Sequence, residues 1–310
     1  MQQEGVRPLV TIGVPVYNDI KYVGLALADI QAQTYDNIQI IISDNCSTDG
    51  SDEICRRYAA QNPRITYIRQ QHNIGPHANF RYLLDGAQGE YFMWAASDDR
   101  WDKDFVESLV CALEDAPGAS VAFCPYVEID EEGSVISDIF AFDFSGTSPT
   151  QRIIKFHLSS TSRRDAFFYG MFKRSRAVEM RFIKWWWVNK DIAINIAYPP
   201  LTYMLAVGDY RFVDSGRPLW FNRIHLNSSP RHSNKFSSRP LVAYILFHLR
   251  KINQLYETEK TIIKDYGSMR VGVLVFPTLL IRVLLDCVMA AKGIFVAGAR
   301  RFRRVFLKAG

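Results

Sequence analysis

The sequence holds no CxxC pair, no GxGxxG after its first strand-like segment and no extended uncharged run in its most hydrophobic stretch. Its five cysteines, Cys46, Cys55, Cys111, Cys124 and Cys287, are odd in number and widely spaced. That excludes a disulfide framework or a thiolate metal site and reads as reduced thiols in the cytosol. The missing glycine fingerprint sets aside a dinucleotide-dependent dehydrogenase. Within residues 271–299 the uncharged run from Val271 to Ile281 falls short of the roughly 20 apolar residues that a span needs, and Pro277 interrupts it. The polar start, Met1 to Pro8, carries no export signal, so a cytoplasmic location is expected. Net positive charge is also missing from the body of the chain. Lys292, Arg300, Arg301, Arg303, Arg304 and Lys308 close the sequence with no acid among them, leaving 31 basic against 32 acidic residues elsewhere. An apolar helix ending in such a tail is expected to lie peripherally on the cytoplasmic face of the inner membrane, with no nucleic acid as partner.

What is present is alternation. Val10 to Tyr17 is short, β-branched and followed by a polar turn and an apolar pattern of helical period to about Gln33. The unit repeats at Ile38 to Asp44 with a helix to about Ala60, at Ile65 to Arg69 with a helix from about Asn79 to Ala87, and at Tyr91 to Ala96 with a helix from about Lys103. Strands alternating with helices at this spacing predict an α/β fold with a mostly parallel sheet covered by helices on both faces. Val121 to Ile129 reads as one further strand, and Tyr210 to Val213 and Pro218 to Asn222 as short ones. The chain divides at about residue 238, with a helical extension over 239–310.

Ligands of such sheets bind beyond the carboxyl ends of the strands. After the first strand, Pro15 fixes the backbone, Tyr17 offers a ring on which a base can stack, and Asn18 and Asp19 offer polar groups to a base or ribose. Asp44, at the tip of the second strand, can accept the imide N–H of a uracil or thymine. Asp49 reads as the cap of the following helix. At the end of the fourth strand stand Ser97, Asp98 and Asp99. Adjacent carboxylates repel, and a bound Mg²⁺ or Mn²⁺ that keeps positions open for phosphate oxygens neutralises them; an acid-rich helix start is the competing reading.

The segments VTIGVPVYN, NIQIIISDNCSTDGS, HNIGPHANF and GEYFMWAASDDRW, in this order, resemble the family 2 glycosyltransferases of the GT-A fold and cover the first third of the chain. The resemblance implies an inverting transfer from a nucleotide-diphosphate sugar, most simply a UDP-sugar, to a glycan or lipid-linked acceptor hydroxyl in polysaccharide or glycolipid assembly. It implies that Asp44 contacts the base, that Asn79 belongs to the donor site, that Asp98 touches the ribose side and that Asp99 ligates the metal. The usual first acid of the DxD motif is absent. In WWWVNKDIAIN, Asp191 matches the catalytic acid position, with Lys190 where an acid often stands. Pro218 to His225 resembles the segment that returns to the diphosphate, bringing Arg223 to the donor and His225 to the metal. Two alternatives stand beside this reading: a polyprenyl-phosphate sugar synthase, and a non-catalytic binding protein that kept the fold.

Overall fold

The computed structural model of the chain describes residues 7–158, 164–180, 201, 204–205 and 208–225. Asp191, the Trp185 to Trp187 run, the boundary near residue 238 and the basic extension lie outside the described residues. Seven strands form the main sheet in the order β3 (Ile65–Arg69), β2 (Ile38–Asp44), β1 (Val10–Val16), β4 (Tyr91–Trp94), β8 (Met171–Lys173), β6 (Ala119–Phe123) and β9 (Asp209–Phe212). The pairs β1–β2, β2–β3, β1–β4 and β6–β9 are parallel, and β8 runs antiparallel to both of its neighbours. The mostly parallel α/β sheet expected from the alternation is therefore the observed one. Every residue of β1 and β4 is buried, which is why these strands read as continuous apolar runs rather than as alternating patterns.

Helices α1 (Val23–Gln31), α2 (Ser51–Gln61), α3 (Pro76–Asp85) and α4 (Phe105–Glu114) follow the strands as expected. Helix α3 starts three residues before the expected Asn79: Gly75, at φ 81°, takes a backbone conformation that L side chains rarely adopt, and Pro76 occupies the first helical position. Gly13 lets α3 come close to the sheet, since a Cβ there would lie 3.0 Å from the Leu83 Cβ. Under the end of β4 the Trp94 indole stacks on Phe168 at 4.3 Å between centroids and donates to the Phe80 carbonyl at 3.1 Å. This aromatic core makes a rigid floor for the residues that follow.

Two expectations need correction. The single strand predicted from Val121 to Ile129 is two, β6 and β7 (Tyr126–Ile129), in different sheets. Proline at 125 has no N–H to give a ladder and a fixed φ, so the chain leaves the main sheet there. The acid-rich helix start is also not formed at Asp98 and Asp99, because α4 begins only at Phe105. Between them lies β5 (Arg100–Trp101), which joins β10 (Trp220–Arg223) and β7 in a small sheet of order β5-β10-β7. Asp29 of α1 anchors β5 by accepting from the Arg100 Nη2 at 2.9 Å and from the Trp101 N–H at 3.0 Å. Helix α5 (Pro149–Leu158), the 3₁₀ turn Arg164–Tyr169, the short helix α6 (Arg174–Ala177) and β8 are elements that the strand–helix alternation does not foretell.

Candidate active site

The loops after β1 and β2 are sewn to each other. The Asn18 N–H donates to the Ser47 Oγ at 2.9 Å, and the Thr48 N–H to the Asn18 Oδ1 at 2.8 Å. The Asp19 N–H donates to the Ser51 Oγ at 2.8 Å, and the Ile20 N–H to the Asp49 Oδ2 at 2.9 Å. Asp49 also accepts the Ser51 N–H at 3.0 Å, but the cap position of α2 is Gly50, so Asp49 stands one residue before the capping role expected of it. Asn18 and Cys46, at φ 51° and 65°, are the described non-glycine residues held in the left-handed region. Such strain survives where surrounding bonds over-determine the backbone, as they do here. Tyr17 projects from this wall, 51% exposed.

Asp44 is fully buried, its carboxylate accepting the Ser47 N–H at 2.9 Å and the Tyr67 hydroxyl at 3.0 Å, with the Arg69 Nε at 3.7 Å. Burial, and the bond to Asp44, push the Tyr67 phenol well up from its ordinary value, so it stays a donor. Pro15 is buried within β1, in register with Ser43. Asn79 is buried as well: its Oδ1 accepts from the Ser43 Oγ at 2.5 Å and its Nδ2 donates to the Ser43 carbonyl at 3.0 Å. Both residues, expected in the donor site, brace the end of β2 from within.

The two acids after β4 part company. Asp99 is 2% exposed; its Oδ2 accepts the Trp220 Nε1–H at 2.9 Å and its Oδ1 the Arg223 backbone N–H at 2.8 Å. Burial and the Asp98 charge raise its carboxyl well above the usual range, while these two bonds pull the other way. Asp99, expected to hold the metal, is thus the anchor that fastens β10 to the end of β4. Asp98 keeps a side chain 28% exposed, and its Oδ2 lies 3.0 Å from the His225 Nε2. That bond raises the His225 pKa above the ordinary imidazole value. Arg223, expected at the donor, is 3% exposed, and its guanidinium donates to the carbonyls of Asp98, Asp130 and Glu131, each at 2.8 Å. It is a clasp across three chain segments.

Asp19 belongs to the same cluster. Its Oδ2 is buried with no hydrogen-bond partner. Burial pushes the carboxyl up to about 6 and the Asp98 charge adds to the rise, against the Ser97 hydrogen bond and His225. An orphaned acidic oxygen beside Asp98 and His225 is a place that lacks positive charge. Among the described residues no three His, Cys, Asp or Glu side chains are grouped to hold a metal ion; Asp98 and His225 stand as a pair. One hard carboxylate and one imidazole, with the other positions open, fit Mn²⁺ or Mg²⁺ shared with phosphate oxygens. The sequence reading missed Tyr22, Tyr67 and Glu131, and the bond from Trp220, within the Pro218 to His225 segment, to Asp99. Nothing in their local spacing marks them, because each acts on a residue distant along the chain.

Among curated relatives, Glycosyltransferase GlyA of Streptococcus pneumoniae serotype 4 is 33% identical over 144 residues, 46% of this chain; the chain spans only 20% of that relative's length. Two solved structures are similar in fold. One is S. aureus TarS 1-349 in complex with UDP-GlcNAc, with TM-score 0.55 and 16% identity over 78% of this chain and 66% of the other. The second is the mannosyltransferase PcManGT from Pyrobaculum calidifontis in complex with GDP-Man and Mn²⁺, with TM-score 0.50 and 16% identity over 96% of this chain and 88% of the other. Sequence and fold thus converge on the reading drawn from the four strand-end motifs, and residues 11–194, more than half of the chain, match Glycosyl transferase family 2, so the chain belongs to that family.

Proposed function

We propose that this chain transfers a sugar from a nucleotide-diphosphate donor, a UDP-sugar, to the hydroxyl of a glycan or lipid-linked acceptor, with inversion at the anomeric carbon. The observation that carries this reading is the Asp98–His225 pair at 3.0 Å, with the orphaned Asp19 oxygen beside it, at the carboxyl end of β4 in a family 2 chain. Tyr17, exposed at the end of β1, is the platform for the base, and Asn18 and Asp19 line the ribose side. Asp44, fully buried at the tip of β2, is the acceptor assigned to the base imide. Asp98 and His225 hold the divalent cation, the role the sequence reading had given to Asp99 and His225. Once bound, that ion stabilises the charge on the leaving diphosphate. The TarS complex with UDP-GlcNAc and the PcManGT complex with GDP-Man and Mn²⁺ agree with a nucleotide-sugar donor and a divalent ion.

Asp191 takes the proton from the acceptor hydroxyl as its oxygen bonds to the anomeric carbon, and the bond from that carbon to the diphosphate oxygen breaks. The basic end of the chain, Lys292 to Lys308, supports work at an anionic membrane surface, where a lipid-linked acceptor is found. The test is a panel of nucleotide sugars offered with Mn²⁺ to the wild type and to Asp191→Asn. Wild-type turnover of a uridine donor is expected, with transfer abolished and donor binding retained in the variant. Loss of donor binding in Asp191→Asn would remove that residue from the base role, and no turnover or binding of any nucleotide sugar would sink the function itself.

A further inference from the structure

Tyr22 precedes α1, outside every motif singled out in the sequence, and is only 5% exposed. Its ring meets groups from three separate segments. The His225 imidazole lies 5.3 Å away between centroids, tilted by 40°. The Arg223 guanidinium carbon sits 4.6 Å from the ring centroid and the Lys21 ammonium 5.0 Å from it. Its hydroxyl donates to the Glu131 Oε2 at 3.3 Å, and the same oxygen accepts from the Lys21 Nζ at 2.6 Å. Arg223 closes the circuit by donating to the Asp130 and Glu131 carbonyls. The electron-rich face of a tyrosine attracts the cations placed over it, and the hydroxyl fixes the ring's orientation.

We infer that Tyr22 is the positioning residue for His225, the ring that sets the imidazole plane against Asp98 and ties that plane to the Asp130–Gly133 turn through Glu131. The inference rests on the proposal that Asp98 and His225 hold the divalent cation. A histidine ligand needs its ring oriented by a neighbour, and a group in that role typically alters metal affinity about 10–100-fold when removed. His225 follows β10, a strand that reaches the site from far along the chain, and its imidazole is set between the Asp98 carboxylate and the Tyr22 ring.

The experiment measures Mn²⁺ binding in the presence of UDP by the electron paramagnetic resonance signal of the free ion, with no turnover involved. Wild type, Tyr22→Phe, Tyr22→Leu, Glu131→Gln and the control Asp98→Asn are compared, each with its thermal midpoint. Tyr22→Leu is expected to weaken Mn²⁺ binding about tenfold. Tyr22→Phe and Glu131→Gln, which both keep the ring, are expected within about twofold of wild type. UDP affinity in EDTA is expected to stay unchanged in all of them. Should Tyr22→Leu fail to fold, Tyr22→Phe still decides: a Tyr22→Phe protein as weak as Asp98→Asn overturns the role of the ring, and one near wild type supports it. Wild-type Mn²⁺ affinity in Tyr22→Leu, with Asp98→Asn impaired, overturns this inference alone. An unimpaired Asp98→Asn overturns the cation site and this inference with it.

Discussion

The loops after β1 and β2 and the mouth of the small sheet are neighbours that treat polar groups in opposite ways. In the first region Asn18, Asp44, Ser47, Asp49 and Ser51 are all bonded to one another's chain segments, which ties the two loops together. At the second, Asp99, Arg223 and Trp220 are equally committed, yet Asp98 stays partly exposed, and the Asp19 Oδ2, from the loop after β1, has no partner. A region so cross-linked holds its shape; on the function proposed above, acid kept beside a fixed frame is where a cation would sit. The contrast falls between two consecutive residues, Asp98 and Asp99, one partly exposed and the other buried in the fold.

The sharpest way to break that contrast is to remove each acid in turn. Asp98→Asn should lower Mn²⁺-dependent transfer on the order of 10²-fold or more while leaving the melting midpoint unchanged. A fall in midpoint to match would mean that Asp98, too, serves the fold. Asp99→Ala should do the reverse at the level of stability. It strands the Trp220 indole N–H and the Arg223 amide in a buried place, at a cost of about 3 kcal/mol and a drop of roughly 10 °C in thermal melts. A midpoint that holds would show that β10 does not depend on the anchor.

The smallest effect concerns pH. In the folded chain Asp19 is pushed up to about 6 from its ordinary value of 3.8, so near pH 4 and below, the folded and unfolded chains both hold the proton and its stabilising effect is complete. As pH rises through about 6 that contribution is lost, because the unfolded chain has already ionised. Relative to Asp19→Asn, which cannot titrate, the wild type should lose on the order of 1 kcal/mol between about pH 4 and 6, the figure allowing for solvent screening. Parallel denaturant melts of the two proteins measure it, and a flat difference would mean that Asp19 finds a partner in solution.

Much of this was legible. The first four strands declared themselves because buried parallel strands are apolar along their whole length, and the helices between them because one face must be apolar at a period of 3.6. Tyr17, Asn18 and Asp19 were placed correctly at a strand end for the same reason. The break at Cys124 and Pro125 was visible in principle, since proline disrupts a central strand, but the apolar residues on both sides masked it. β5 is two residues long and carries no periodicity at all.

The sequence by itself determined the alternation of strands and helices, the carboxyl-end placement of the polar clusters, and an acidic pair in want of a counter-charge. Tertiary structure alone decided which acid of that pair stays partly exposed. The Trp220 indole N–H and the Arg223 amide reach Asp99 across sequence separations of 121 and 124 residues, and His225 reaches Asp98 across 127. Local propensity extends over a few residues, whereas burial and hydrogen bonding follow proximity in space. Whether a carboxylate is buried as a strut or left partly exposed is therefore settled only when β10 closes against β5.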